Sequence, residues 1–409
     1  MKKEKLLVIA TTFPRWEKDS EATFVKDLCK EQSKEFEVHV LVPHYIGLKL
    51  EEKINDLYIH RFIYFYPYKY QKLAYGGILP NIKKKPILLL QTPFFFISEL
   101  INTMRIIKKE NIKKIHAHWF FPNGFVSAIC SKFLKVRSII TIHAGCVAGL
   151  NKIPILKRPI TNFIVKNTNI IISVSSFGRD ILYKMVSPKL KRLVEFKLRM
   201  ISMGTYTKDF RIKKNKNKLK REYKIKGKNV ILFLGRLAEK KGVKYLIQAL
   251  NLIKNLDYIL LIGGDGPLRK ELEEIVNNFN LNKRVKFLGY ITGKEKIDYI
   301  LLSDIMIIPS IITKEGDTEG LPVTIMEGMA AGLPIITTNV GGIKDIIKNN
   351  QNGILIQEKN PRLISERIIH LIKDRNFMKR LSKNAILTSK DYDWSIIGKK
   401  NRDLLKKLI

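Results

Sequence analysis

Glu319 and Glu327, with seven residues between them, flank a helix start in PSIITKEGDTEGLPVTIMEGMAAGLPIITTNVGGIKDII (309–347). An apolar strand ends at Pro309-Ser310, a polar loop follows, and Gly320-Leu321-Pro322 leads into a helical pattern. Pro322 is expected at the first helical position, where a missing N–H costs nothing. The unpaired N–H groups of such a start favour an anion. The two carboxylates are not there for phosphate. They suit hydroxyl donors, a sugar or a ribose, because an ionised carboxylate accepts several hydrogen bonds. A second stretch, FLGRLAEKKGVKYLIQAL (233–250), offers cations after a strand. Arg236 brings a planar fork for phosphate and Lys241 a point charge. A third, LLIGGDGPLRKELEE (260–274), has glycines, Gly264 among them, that allow close backbone approach to a ligand. Taken singly, the carboxylates also fit a solvated charge and a helix-capping acid, and the cations fit surface charges.

Short all-apolar runs must position these residues. LLVIA (6–10), VHVLV (38–42), SIITI (138–142) and IIISV (170–174) read as buried strands. VILFLG (230–235), YILLIG (258–263), VKFLG (285–289), IMIIPS (305–310) and PIITT (334–338) repeat the picture. Apolar strands alternating with helical patterns indicate parallel sheets covered on both faces, hence an α/β chain of two doubly wound domains. KDFRIKKNKNKLKREYKIKGKN (208–229) separates the two series. The expected division is a first domain over 1–205, a basic linker over 206–229, a second domain over 230–385 and a terminal helix over 386–409.

The chain has 409 residues, 45% of them hydrophobic, and a formal net charge of +38. That composition excludes a disordered or fibrous chain. The charge predicts an anionic partner: nucleic acid, an acidic membrane surface or a phosphorylated substrate. AT-rich coding favours Lys, but it also tolerates Glu, so drift alone leaves the shortage of acids unexplained. Net charge is +20 over 1–205, +9 over 206–230 and +9 over 231–409. Three widely spaced cysteines, Cys29, Cys130 and Cys146, suit a reducing compartment and offer no zinc pattern. The apolar run at the N-terminus is too short for a signal-peptide core. PILLLQTPFFFISELI (86–101) is interrupted by polar residues and reads as too short to span a membrane. A cytoplasmic location follows, with the chain resting on the inner face of the plasma membrane as a peripheral protein. FIYFYPYKYQK (62–72) and NIKKKPILLLQTPFFF (81–96) mix aromatics and cations as a membrane interface does, and fit a core hairpin with a packed helix equally well.

GRLAEKKG, GGDGPLR and PS…EGLPVTIMEGMAAGLPII, in that order, resemble the nucleotide-binding domain of the retaining glycosyltransferases of family 4 (group 1), whose fold is GT-B. The match runs through residues 230–345. FPRWEKDSEATFV (13–25), IHAHWFFPNG (115–124), TIHAG and SVSSFGRDIL (173–182) resemble the pattern of polysaccharide-building members. The resemblance implies two Rossmann-like domains facing across a cleft, with the C-terminal helix crossing back to the first. It implies that Arg236 and Lys241 neutralise the diphosphate of a nucleotide-sugar donor, a UDP- or GDP-sugar. Glu327 would hold the ribose hydroxyls and Glu319 those of the donor sugar. Backbone N–H groups over Gly320, Leu321, Pro322, Val323 and Thr324 would add phosphate and sugar contacts, Pro322 itself having none to give. Tyr290 and Ile291 fall where the nucleobase is met, and His118 matches a histidine that approaches the donor sugar. The family needs no metal, since Arg and Lys replace the divalent ion. His116 is read as facing away from His118 in an extended HAHW and is left out. Two departures stand: His143-Ala144-Gly145-Cys146 replaces the family's His-Gly-x-Asp, and TTFPRWEKDS replaces a Gly-Gly loop. Asp391-Tyr392-Asp393 mimics a metal-binding Asp-x-Asp but lies far from the motifs.

The reading is therefore a retaining hexosyltransferase acting on a glycan or lipid-linked acceptor. The alternatives are a GT-B nucleotide-sugar epimerase, a phosphorylase, for which no pyridoxal lysine motif appears, and a nucleic-acid binder. No nucleic-acid module accompanies the charge, so nucleic acid is not an expected partner.

Overall fold

The apolar runs become two sheets in this computed structural model, which describes residues 3–17, 19, 21–143, 150, 154–212, 214–226 and 229–408. The chain divides into two units, one of 1–202 with 394–409, the other of 203–393.

The first unit contains β1 (Glu4–Ile9), β2 (Phe36–Pro43), β3 (Glu51–Ile54), β4 (Leu57–Phe62), β5 (Lys114–His118), β6 (Arg137–Ile142), β7 (Ile170–Ser173) and β8 (Leu198–Met200). They stand in the order β3-β4-β2-β1-β5-β6-β7-β8. All pairings are parallel except the β3–β4 hairpin. Asn55 turns that hairpin at φ 53°, the left-handed geometry that matches the strand twist. β5 is central yet escaped the search for apolar runs, because Lys114, His116 and His118 interrupt it. Each of these polar side chains finds a partner inside, Lys114 meeting Glu4 at 2.9 Å. The order in which strands are added reverses between β1 and β5, so the loops leaving them diverge and open a crevice at their carboxyl ends.

Helix Trp394–Lys406 packs on helix Thr23–Gln32 of the same unit. Arg402 Nη1 donates to the Glu31 carboxylate at 2.8 Å and to the Glu31 carbonyl at 3.0 Å. The expected single helix over 386–409 is broken. Helix Arg375–Ser389 ends, a turn over Lys390–Tyr392 intervenes, and Asp393 accepts from the Thr207 hydroxyl at 2.6 Å. The Asp391-Tyr392-Asp393 run thus serves that turn.

The second unit holds β9 (Asn229–Leu234), β10 (Tyr258–Gly263), β11 (Val285–Gly289), β12 (Ile305–Ile308), β13 (Ile335–Thr338) and β14 (Ile354–Ile356), all parallel, in the order β11-β10-β9-β12-β13-β14. Its reversal lies between β9 and β12. Both units are therefore doubly wound α/β, as the apolar runs required. The stretch read as a basic linker is part of this unit. Helix Lys216–Glu222 buries Leu219, and Ile225 and Phe210 join the same core. Its cations are tied inward, Lys216 to Asp304 at 2.6 Å and Lys214 to Asp298. Three widely separated apolar residues do not make a run, so burial there was invisible to periodicity.

Gly398 lets the two helices of the first unit meet: a Cβ there would lie 2.5 Å from Glu31 Cβ. Gly398→Val is expected to force them apart and cost about 1–3 kcal/mol. Denaturant unfolding checks this, and a variant as stable as the parent would contradict it.

Candidate functional site

Two loops leave the carboxyl ends of β9 and β12 and meet over the crevice of the second sheet. The β9 loop runs through Gly235 and Arg236 to a short turn, Glu239–Lys241. The β12 loop runs from Pro309 to helix Val323–Ala330. Ile311 N–H donates to the Lys240 carbonyl at 2.8 Å and ties the loops together. Gly341, at φ 57°, backs the second loop so closely that a Cβ would lie 1.9 Å from the Glu319 carbonyl oxygen. A side chain there would displace the residue that carries the carboxylate.

Lys241 Nζ lies 3.0 Å from Glu319 Oε1, both side chains being nearly out of solvent. Lys240 reaches Asp317 at 3.3 Å. Burial alone would push the Glu319 carboxyl up. The positive charges of Lys241 and then Lys240 outweigh it and hold the group below its ordinary range. Glu327, on the helix, accepts from Lys296 Nζ at 2.6 Å. Lys296 was missed by sequence reasoning. It lies on helix Gly293–Leu302, and no local pattern links it to a glutamate 31 residues away.

The same region collects buried polar atoms without a hydrogen-bond partner: Glu319 Oε1, whose contact with Lys241 is an ion pair without hydrogen-bond alignment, Glu327 Oε2, Thr324 Oγ1 and Ser310 Oγ. Each unsatisfied group costs about 1–3 kcal/mol unless a ligand or water meets it. Pro322 is the residue capping the helix from outside (φ −67°, ψ 118°), one place earlier than expected, and the helix begins at Val323. The capping residue offers no side-chain acceptor; Ile325 N–H donates to the Pro322 carbonyl at 3.1 Å, and the N–H groups of Val323 and Thr324 are left for another partner. The site therefore asks for an anion at the helix start and for hydroxyl donors at two carboxylates.

The remaining expected residues divide. Arg236 is exposed on the β9 loop, Gly320, Leu321, Val323 and Thr324 are half-buried at the helix start, and Tyr290 is 52% exposed. Ile291 is buried in the core instead, close against Gly263. Gly264 also departs from expectation. Its N–H donates to the Gly289 carbonyl at 2.7 Å, and a Cβ would lie 2.0 Å from the Gly235 carbonyl oxygen. It permits packing of one loop on another, a positioning role.

In the first unit, His118 ends β5 at the crevice of its own sheet. His118 Nδ1 is 3.1 Å from His143 Nε2, and its Nε2 is buried with no hydrogen-bond partner. His116 stacks on His118 with ring centres 4.5 Å apart. The expectation that His116 faces away is thus corrected: residues two apart in a strand share a face. His116 is bound by Gln32 at 2.7 Å and Thr141 at 2.8 Å. Burial pushes His116 and His143 down to about 3 and His118 well below its usual range, so all three are neutral near pH 7. Trp119 follows at φ 67°, a conformation a bulky residue adopts only when its surroundings impose it. Residues 144–146 of the expected histidine motif, Cys146 included, and Lys18 and Ser20 of the first loop lie outside the described residues. Cys29 and Cys130 are buried free thiols.

Two family models match the chain, "Glycosyltransferase Family 4" over residues 22–192 and "Glycosyl transferases group 1" over residues 215–388. An uncharacterised glycosyltransferase of Methanocaldococcus jannaschii is 30% identical over 84% of this chain and 88% of its own. The chain belongs to the family 4, group 1 glycosyltransferases. A UDP-galactose: α-D-GlcNAc-diphosphoundecaprenol α-1,3-galactosyltransferase of Escherichia coli is 26% identical over 70% of this chain and 74% of its own. Anabaena HepE, solved with UDP-glucose, superposes with a TM-score of 0.72 at 16% identity over 99% of this chain and 100% of its own. That likeness speaks to the fold, which is GT-B. The glycosyltransferase motifs noted in the sequence thus gather, in the second unit, around one ion pair.

Removing the cation should reverse the behaviour of Glu319. In the parent its lowered pKa contributes stability that is present above the ordinary carboxylate range and lost as pH falls through the folded value. In Lys241→Met burial acts with little opposition, the folded pKa rises, and stability falls as pH rises from about 5 to 7. Thermal unfolding across that range checks the sign; parallel curves for the two proteins would contradict it.

Proposed function

We propose that this glycosyltransferase moves a hexosyl group from a uridine- or guanosine-diphosphate sugar to a hydroxyl of a glycan or lipid-linked acceptor, with retention of anomeric configuration. The observation that carries the reading is the Lys241–Glu319 pair at the mouth of the second unit's crevice. It sits just before a helix on which Glu327 Oε2 and Thr324 Oγ1 are buried without a hydrogen-bond partner. A nucleoside diphosphate sugar supplies what this site lacks, two phosphates for the N–H groups and cations and two sets of hydroxyls for the carboxylates. The relatives support the donor and acceptor classes: HepE was solved with UDP-glucose, and the Escherichia coli relative acts on a sugar carried by diphosphoundecaprenol.

In this reading the diphosphate lies against Lys241, Arg236 and the N–H groups of Gly320 to Thr324. Glu327 Oε2 accepts from the ribose and Glu319 from the transferred sugar, with Tyr290 open to the base. His118 Nε2 accepts a sugar hydroxyl in the crevice of the first unit, where a neutral ring binds without adding charge. The bond from the anomeric carbon to the diphosphate oxygen breaks as the acceptor oxygen bonds to the same face of that carbon. The acceptor's proton passes to the leaving oxygen, so no side chain is needed as base. Lys241 and Arg236 stabilise the charge that grows on that oxygen, the part a preorganised cation plays best.

Glu319→Gln and Lys241→Ala are expected to lower kcat by about a hundredfold to a thousandfold. The paired variant Lys241→Met/Glu319→Gln, which leaves no lone buried charge, controls for folding. Transfer assayed with a panel of nucleotide sugars reads the rate, and NMR of the product's anomeric proton reads retention. Full activity in either single variant, or free isomerised sugar as the product, would overturn the reading. A chelator is expected to leave transfer unchanged, and loss of activity on chelation would remove the metal-free part of the proposal.

A further inference from the structure

The helical stretch Pro86–Glu110 buries one side and turns an apolar side to solvent. It continues past the point where the sequence reading ended it, and by length and composition it is long and apolar enough to cross a membrane. Its inner side is committed. Leu88, Phe95, Ile106 and Ile107 belong to the core of the first unit, and Phe95 meets the rings of Phe62 and Tyr64 at 5.1 Å each. Ser98 Oγ donates to the Ile63 carbonyl at 2.5 Å. Drawing this helix through a bilayer would strip that core, so it cannot span while the unit is folded.

The outer side is the anomaly. Ile87, Leu90, Phe94, Ile97 and Ile101 are 52–68% exposed. Their steps of three and four residues place them in one stripe about 20 Å long. A surface helix normally gives water its polar face. Here the stripe turns cationic only at its far end, where Arg105 and Lys108 are exposed. Lys83, Lys84 and Lys85 are exposed at the near end, and Tyr66, Tyr68 and Tyr70 are exposed just upstream. From residue 57 to 109 the sequence holds a single acid, Glu99. It is buried on the inner side, where burial pushes its carboxyl up to about 8 and leaves it uncharged at neutral pH. An apolar stripe with cations at both ends, tyrosines nearby and no exposed acid within residues 57–109 matches the interface of an anionic bilayer.

We propose that this face docks the first unit on an anionic lipid surface, the stripe lying in the plane of the interface with the flanking lysines and arginine on the headgroups. The charge pattern decides against a second copy as the occupant, because a two-fold contact would set the same cations against each other. The inference goes beyond the donor-site reading and does not depend on it.

Flotation of the full chain with phosphatidylglycerol–phosphatidylcholine vesicles, against phosphatidylcholine alone, tests it without any sugar chemistry. Binding to the anionic vesicles is expected to be at least about tenfold stronger and to weaken with salt. Combining Lys83→Ala, Lys84→Ala and Lys85→Ala should lose about a hundredfold, about fivefold for each cation. Combining Leu90→Glu, Ile97→Glu and Ile101→Glu should abolish binding while circular dichroism shows the parent's melting curve, since these side chains are 52–64% exposed. No binding to anionic vesicles, equal binding to neutral ones, or binding that survives the glutamate changes would overturn the proposal. So would a parent dimer that the glutamates convert to a monomer, which would give the stripe to a second copy.

Discussion

A carboxylate held away from water stays charged only while a cation stands beside it, and the second unit is arranged around that condition. At 3.0 Å the gross attraction between Lys241 and Glu319 is about 5 kcal/mol at an effective dielectric constant of 20. Desolvation of the two ions costs several kcal/mol as well. Two comparable terms leave the pair near balance, so the diphosphate of the proposed donor could take a share of Lys241 without first dismantling a strong bond. The sheet order creates this balance by putting β9 beside β12, which brings a loop of lysines against a loop of carboxylates.

The site was legible in the sequence where chemistry and chain order coincide. Glu319, Glu327, Arg236 and Lys241 stand at strand ends and helix starts, and apolar runs locate such places well. What the sequence hid depends on contacts between distant segments. Lys296 meets Glu327 only because two helices pack side by side. Gly264 and Ile291 look like ligand residues by position, and only the packing of one loop on another shows what they do. The linker reading failed for a related reason. Lysines next to one another suggest solvent, and the acids that bind them, Asp298 and Asp304, come some 80 residues later.

The first unit shows how composition misleads in a central strand. β5 carries Lys114, His116 and His118, and polar residues argued against a buried strand. It is buried all the same, because Glu4, Gln32, Thr141 and His143 supply partners. Three neutral imidazoles in one stack are unusual, and they leave a single nitrogen, His118 Nε2, unsatisfied at the end of the strand. The outward stripe of Pro86–Glu110 is the opposite case: its periodicity was strong, but nothing in a helical period says which of two apolar sides faces inward.

The discontinuity of the first unit sets an order on synthesis. The second unit is one continuous piece, stitched at its ends where Thr205 N–H donates to the Tyr392 carbonyl at 2.9 Å. The first holds residues 1–202, ahead of the second, but needs Trp394–Lys406 to cover helix Thr23–Gln32. As the chain leaves the ribosome, the second unit can close while the first still lacks a helix. Residues translated before the second unit are then completed after it, and the seat of Arg402 on Glu31 is left open until Trp394–Lys406 has been made.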